Sequence, residues 1–223
     1  MPAWFEFTGL SFSVGMENET VVASGALEPG RVLLVRGPSG SGKTTLLRVL
    51  ARLHRGCGGD VWLDGRHWRS YAPTAWRTAV CYVAQQPAVF EGTVRDNLAR
   101  PFALGVRTGR GRYDAAAARE AMQALLLPPM LLEQDARLLS GGEAARMAFI
   151  RALLAEPAVL LLDEPTAALD RKAADGFCAL LSRWLAERPQ RGAVLISHDE
   201  VVWRRVPDPV LLDVGRSATA AGS

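Results

Sequence analysis

The sequence predicts an α/β protein: a mostly parallel sheet covered by helices on both faces, an antiparallel β layer at its N-terminal side and an inserted helical subdomain. Three observations predict it. Gly37-Pro38-Ser39-Gly40-Ser41-Gly42-Lys43-Thr44 fits the phosphate-loop pattern G-x-x-x-x-G-K-[ST] without a mismatch, and it stands between an apolar run and a segment of helical periodicity. Short apolar runs alternate with helical patterns through much of the chain, the order of a parallel sheet. Residues 86–139 interrupt that order with Pro101, Pro128 and Pro129 and an alanine-rich stretch, and they carry no strand pattern.

In residues 4–35, short apolar runs and turn signals at Glu17-Asn18-Glu19 and Glu28-Pro29-Gly30 predict antiparallel strands leading into the phosphate loop. Arg31-Val32-Leu33-Leu34-Val35 reads as a short buried strand. The helix that follows places Leu46, Leu47, Leu50 and Leu53 on one face, with Arg48 and Arg52 pointing elsewhere. After Gly58-Gly59, Asp60-Val61-Trp62-Leu63 and the turn Asp64-Gly65 predict a strand and hairpin of the antiparallel layer. Residues 79–84 form a buried strand ending at Gln85. The inserted region holds a loop at 105–111, and Ser140 caps a helix with Met147, Ile150 and Leu154 on one side. Val159-Leu160-Leu161-Leu162 and Ala193-Val194-Leu195-Ile196-Ser197 are strands. Between them Asp170 precedes a helix with Ala174, Phe177, Cys178, Leu181 and Leu185 inward, and Val210-Leu211-Leu212 is a last short apolar run. The expected division is a core with its antiparallel layer at 1–85 and 155–216, a helical subdomain at 86–154 and a loose tail at 217–223.

The phosphate loop has a chemical logic. A triphosphate tail carries several negative charges and is held by backbone N–H groups aimed at one point. Gly37, Gly40 and Gly42 supply the backbone freedom, and the helix opening near Gly42 turns its positive end to the phosphates. Pro38, Ser39, Ser41 and Thr45 complete the loop, Lys43 reaches the β/γ-phosphates, and Thr44 offers a hydroxyl to Mg²⁺. Lys43 and Lys172 are the only lysines in a chain that otherwise uses arginine, and a compact ammonium suits that position better than a planar fork.

Composition narrows the classes. At 223 residues the chain fits one domain, and its net charge of +3 is too small, with no dense basic block, to make nucleic acid the main partner. Cys57, Cys81 and Cys178 are scattered, which argues against a zinc site or a disulfide framework and for a reducing, cytoplasmic setting. The start reads as no signal peptide, and no apolar run approaches the ~18 residues needed to span a bilayer. A membrane role is therefore expected to come through a partner.

Several polar groups follow strands directly, and open α/β sheets bind ligands outside the carboxyl ends of their strands. Asp163, after four apolar residues, can hold Mg²⁺ directly or through water; Glu164 beside it can act as general base. Gln85 and His198 also follow strands. In this order the chain resembles the ATP-binding cassette (ABC) ATPases, a branch of the P-loop NTPases, over nearly its whole length. The resemblance rests on the phosphate loop, Gln85 as Q-loop, Leu139-Ser140-Gly141-Gly142-Glu143 as signature, 160–164 as Walker B, Ala168-Leu169-Asp170 as D-loop, and His198 as switch histidine.

The resemblance implies ATP and Mg²⁺ as ligands, with Thr44, Gln85 and Asp163 near the metal and Glu164, His198 and Gln85 catalytic. It also implies a head-to-tail homodimer in which Ser140, Gly141, Gly142 and Glu143 close on ATP held by the other subunit. A separate integral membrane permease would hold the chain at the inner face of the cell membrane. The stretch 82–98 looks like the ATPase subunits of bacterial iron exporters and plant aluminium-tolerance transporters, which points to metal-ion export. A soluble cassette ATPase of DNA repair or translation is the alternative, but its long coiled coil or second cassette does not fit this length; a nucleotide sensor would not need Glu164 and His198. Two positions depart from the family pattern: Val14 stands where an adenine-stacking aromatic is common, and Glu143 where glutamine is usual.

Overall fold

A computed structural model describes residues 3–15, 19–103, 112–206 and 209–214. The expected loop at 105–111, the tail at 217–223 and most of the first turn lie outside them. In chain order the elements are β1 (Phe5–Val14), β2 (Glu19–Leu27), β3 (Val32–Arg36), α1 (Lys43–Leu50), β4 (Gly58–Leu63), β5 (Arg66–His67), α2 (Pro73–Ala79), β6 (Val80–Val83), α3 (Val94–Ala103), α4 (Ala115–Ala124), α5 (Gly141–Leu154), β7 (Val159–Asp163), α6 (Arg171–Glu187), β8 (Gly192–Ile196), α7 (Glu200–Arg205) and β9 (Val210–Asp213).

They build two sheets, an antiparallel one ordered β2-β1-β4-β5 and a parallel one ordered β6-β7-β8-β3-β9. Thus β3, which leads into the phosphate loop, belongs to the parallel sheet and not to the antiparallel strands before it. The inner strands β7 and β8 of this sheet are buried along their whole length, as strands covered on both faces must be. Leu33, Val35, Leu161, Val194 and Ile196 face α1 and the antiparallel sheet. Leu34, Leu160, Leu162 and Leu195 face α5, α6 and the helical region.

The antiparallel layer stays on the core through one irregularity. Phe5 and Phe7 point inward at odd positions, whereas Leu10, Phe12 and Val14 do so at even ones. The register shifts between Phe7 and Leu10 against β2 and between Thr8 and Ser11 against β4, with Gly9 at φ 59°. One extra residue reverses the alternation and keeps both halves of β1 facing the core.

Leu53 corrects the sequence reading. It is 52% exposed, because α1 stops at Leu50 and Arg52 takes a left-handed backbone (φ 56°). The Arg52 guanidinium donates to Trp68 O at 3.1 Å and Tyr71 O at 2.9 Å, so long-range bonds hold a helix end where glycine is usual. Two helices that the sequence reading lacks also brace the sheet. In α2, Trp76 is fully buried and donates to Leu50 O at 2.7 Å. In α7, Trp203 donates to Ser197 O at 2.9 Å.

Candidate nucleotide site

The phosphate loop runs from the end of β3 into α1. Gly37, Gly40 and Gly42 all take φ values in the left-handed region, and a Cβ at Gly42 would come within 2.9 Å of Val14 Cγ1. The loop is closed by Lys43, whose buried ammonium donates to Gly37 O at 2.9 Å and Pro38 O at 2.8 Å, while Ser41 N donates to Pro38 O at 3.2 Å. An ammonium has a third N–H to offer, and Lys43 lines the open cleft beside the loop. At the start of α1 the cap residue, Gly42, has no side chain to satisfy the first-turn N–H groups. Uncapped donors at the positive end of a helix make an anion site.

Asp163 ends β7 and is 2% exposed. Both of its oxygens are engaged: Thr44 Oγ1 donates to Oδ1 at 3.1 Å, and Tyr82 Oη donates to Oδ2 at 2.8 Å. Burial, with the bond to Asp163, pushes the Tyr82 phenol up to about 12, so it remains a neutral donor at physiological pH. Glu164 adopts φ 48°, a conformation costly for a residue with a Cβ, and its N–H donates to Ile196 O at 3.0 Å. That bond fastens the turn after β7 to the end of β8. His198 Nε2 lies 3.2 Å from Glu164 Oε1; the imidazole is largely exposed and the carboxylate mostly buried.

The structure thus brings Ser39, Gly40, Gly42, Lys43, Thr44, Thr45, Gln85, Glu164 and His198 to one cleft of about 850 Å³. Gly37, Pro38 and Ser41 shape the loop behind it, and Asp163 reaches it through Thr44. A hydroxyl, a carboxylate and an amide oxygen at Thr44, Asp163 and Gln85 are hard oxygen donors, the kind that suits Mg²⁺. Val14 and Gly15 line the cleft as well, with no aromatic ring from β1 among the lining residues.

Five of the expected site residues, the four of the signature and Asp170 of the D-loop, do not join the cleft. Ser140 caps α5, and its N–H and Oγ donate to Glu143 Oε2 at 2.8 and 2.7 Å, while Glu143 N donates to Ser140 Oγ at 3.3 Å. These bonds hold the Glu143 carboxyl below its usual range, so the capping box is intact at neutral pH. Gly141 is open, and a Cβ at Gly142 would approach Ala168 O to 2.8 Å. Asp170 caps α6 through Ala173 N at 2.8 Å. Sequence reasoning missed Tyr82, Thr166 and Asp199 near the site, because their approach to it depends on strand pairing and on the turns after β7 and β8.

The ABC transporter family profile matches residues 22–167, more than half of the chain. The protein named "Probable iron export ATP-binding protein FetA" of Escherichia coli is 36% identical over 176 residues, covering 78% of this chain and 76% of that one. "Molybdenum import ATP-binding protein ModC" of Rhodobacter capsulatus is 41% identical over 198 residues, 86% of this chain but 52% of its own, so the chain spans about half the length of that relative. Among solved structures, the dimeric ATP-binding cassette MJ0796 bound to ADP and Pi superposes with a TM-score of 0.79 at 25% identity, covering 95% of this chain and 97% of that one. With the phosphate loop, the Asp163-Glu164 strand end and the capped Ser140 helix set in one fold, the chain belongs to the ABC transporter family, as an ABC ATPase domain.

Proposed function

We propose that the chain binds ATP with Mg²⁺, hydrolyses it in a head-to-tail dimer and drives a membrane permease. The observation that carries this reading is the convergence of Lys43, the Thr44–Asp163 pair and the Glu164–His198 pair on one cleft. The α1 N-terminus and Lys43 hold the phosphates and draw charge from the γ-phosphoryl group. Glu164 takes a proton from water as its oxygen bonds to the γ-phosphorus and the bond to the ADP oxygen breaks. His198, within hydrogen-bond reach of Glu164, orients that carboxylate. Mg²⁺, when bound, neutralises phosphate charge, with Thr44, Asp163 and Gln85 holding it.

The dimer follows from the signature. The start of α5, where Gly141 and Gly142 carry no side chain beside the Ser140 cap, lies outside the chain's own cleft, which supports its meeting a phosphate held by a second copy. Glu143 does not oppose this, since its carboxylate is turned back onto Ser140. Glu143→Gln is expected to keep both bonds through the amide oxygen while removing the charge. ATP turnover should stay level or rise by about twofold; a tenfold fall in steady-state rate would refute this account of the residue.

No helix among the described residues is long and apolar enough to cross a membrane, so the permease is a separate segment or chain. A groove of about 510 Å³ supports docking by such a partner at the cytoplasmic side. It begins beside Gln85, its lining includes Phe90, Pro87 and Val83, and Arg77, Arg100 and Arg151 border it with no carboxylate among its described residues. Arg100 lies over the Phe90 ring at 4.0 Å. An apolar segment carrying an acidic group fits that lining. The proposed cargo is a metal ion moved outward, as the name of the iron-export relative has it; that relative is matched over the larger share of its length. A pull-down of the tagged chain from detergent-solubilised membranes of its source should recover an integral membrane protein in stoichiometric amount. Recovery of soluble proteins or nucleic acid alone would overturn the permease reading.

A further inference from the structure

Tyr82 belongs to none of the motifs, yet it contacts the buried carboxylate that the site depends on. Its position follows from register. Tyr82 in β6 pairs with Leu161 in β7, and Asp163 lies two residues further along the same face, at the diagonal distance a long side chain can span. The phenol therefore reaches Asp163 Oδ2 at 2.8 Å while Thr44 Oγ1 holds Oδ1 at 3.1 Å. Thr44 and Arg48 stand one helical turn apart on α1, and the Arg48 guanidinium sits beside the phenol. Two groups of the helix and two of the sheet thus close on one another, and Asp163 is pinned through both oxygens.

We propose that Tyr82 is a positioning residue for the divalent-cation end of the nucleotide site. By occupying Oδ2 it stops the carboxylate from rotating and keeps Oδ1 aimed at Thr44, on the side where the cation that accompanies the triphosphate is bound. Without the phenol, a buried oxygen would lack its donor and the carboxylate would turn to find another. This inference rests on the ATP and Mg²⁺ reading above.

Tyr82→Phe removes the hydroxyl and keeps the ring. The test is titration of a fluorescent ATP analogue, first in EDTA and then across a Mg²⁺ series, with Mn²⁺ affinity followed by electron paramagnetic resonance on the nucleotide complex. The variant should bind nucleotide in EDTA within about twofold of the unmodified protein, while half-saturating Mg²⁺ rises about tenfold and Mn²⁺ affinity falls in parallel. An unchanged Mg²⁺ series overturns the proposal. So does a lowered melting temperature and EDTA affinity with no shift in the Mg²⁺ series, which would mark a packing role only. If the unmodified protein itself fails to bind nucleotide in a Mg²⁺-dependent way, the nucleotide reading falls and takes this assignment with it.

Discussion

Glu164→Gln leaves ATP binding within about threefold of the unmodified protein and lowers hydrolysis by at least about a hundredfold, the scale on which a positioned general base contributes. The exchange is nearly isosteric, and the surroundings that hold the side chain do not need its charge. The Glu164 N–H bond to Ile196 O is a main-chain bond, and the left-handed backbone at φ 48° is no harder for glutamine than for glutamate. An amide oxygen can still meet His198 Nε2 at the same 3.2 Å separation. The proposed phosphate contacts come from other residues, Lys43 and the first turn of α1, so the nucleotide should bind as before. Lost is the capacity to accept a proton from the attacking water. With ATP bound and unhydrolysed, the variant should also elute as a stable dimer holding ATP, where the unmodified protein should cycle back to monomer. Phosphate release and gel filtration check both halves, and a turnover rate close to that of the unmodified protein would remove Glu164 from the role of base.

The parts of this site that were legible in the sequence are those whose chemistry is local. The phosphate loop needs glycine at fixed offsets because its backbone must turn through left-handed conformations, and Ser140 with Glu143 closes its capping box within one helical turn. The buried strands were equally plain, since Val159-Leu160-Leu161-Leu162 can be a run of apolar residues only if both faces are covered. What stayed hidden depends on register or on single anchors. α2 buries Trp76 alone, so it has no apolar period to read. Leu53 continues the helical spacing of α1 on paper, but Arg52 ends the helix through bonds to Trp68 and Tyr71, which lie 16 and 19 residues away. The Tyr82–Asp163 bond joins residues 81 positions apart, and only the pairing of β6 with β7 reveals it.

Gly142→Asp should abolish turnover in the variant alone, by at least about a hundredfold, while ATP binding to the monomer stays within about threefold. Two effects act together. A Cβ at this position meets Ala168 O at 2.8 Å, so the turn before α6 must give way. The new carboxylate also sits at the start of α5, where a phosphate of the second copy is expected, and it lacks the escape that Glu143 has in turning back to Ser140. The chain's own cleft contains no residue from 140–143, and the turn that gives way borders it at Thr166, Ala167 and Leu169 and not at the phosphate loop, so binding to the monomer should survive. The decisive measurement is mixing. Lys43→Ala protein, which cannot hold the phosphates, has an intact signature; Gly142→Asp protein has an intact phosphate loop. In a head-to-tail pair each site takes its loop from one copy and its signature from the other, so a mixed dimer contains one complete site and one doubly defective site. Random pairing of equal amounts makes about half the dimers mixed, and the rate should recover to about a quarter of the unmodified value. If each copy completed its own site, both sites of the mixed dimer would be defective and mixing would restore nothing.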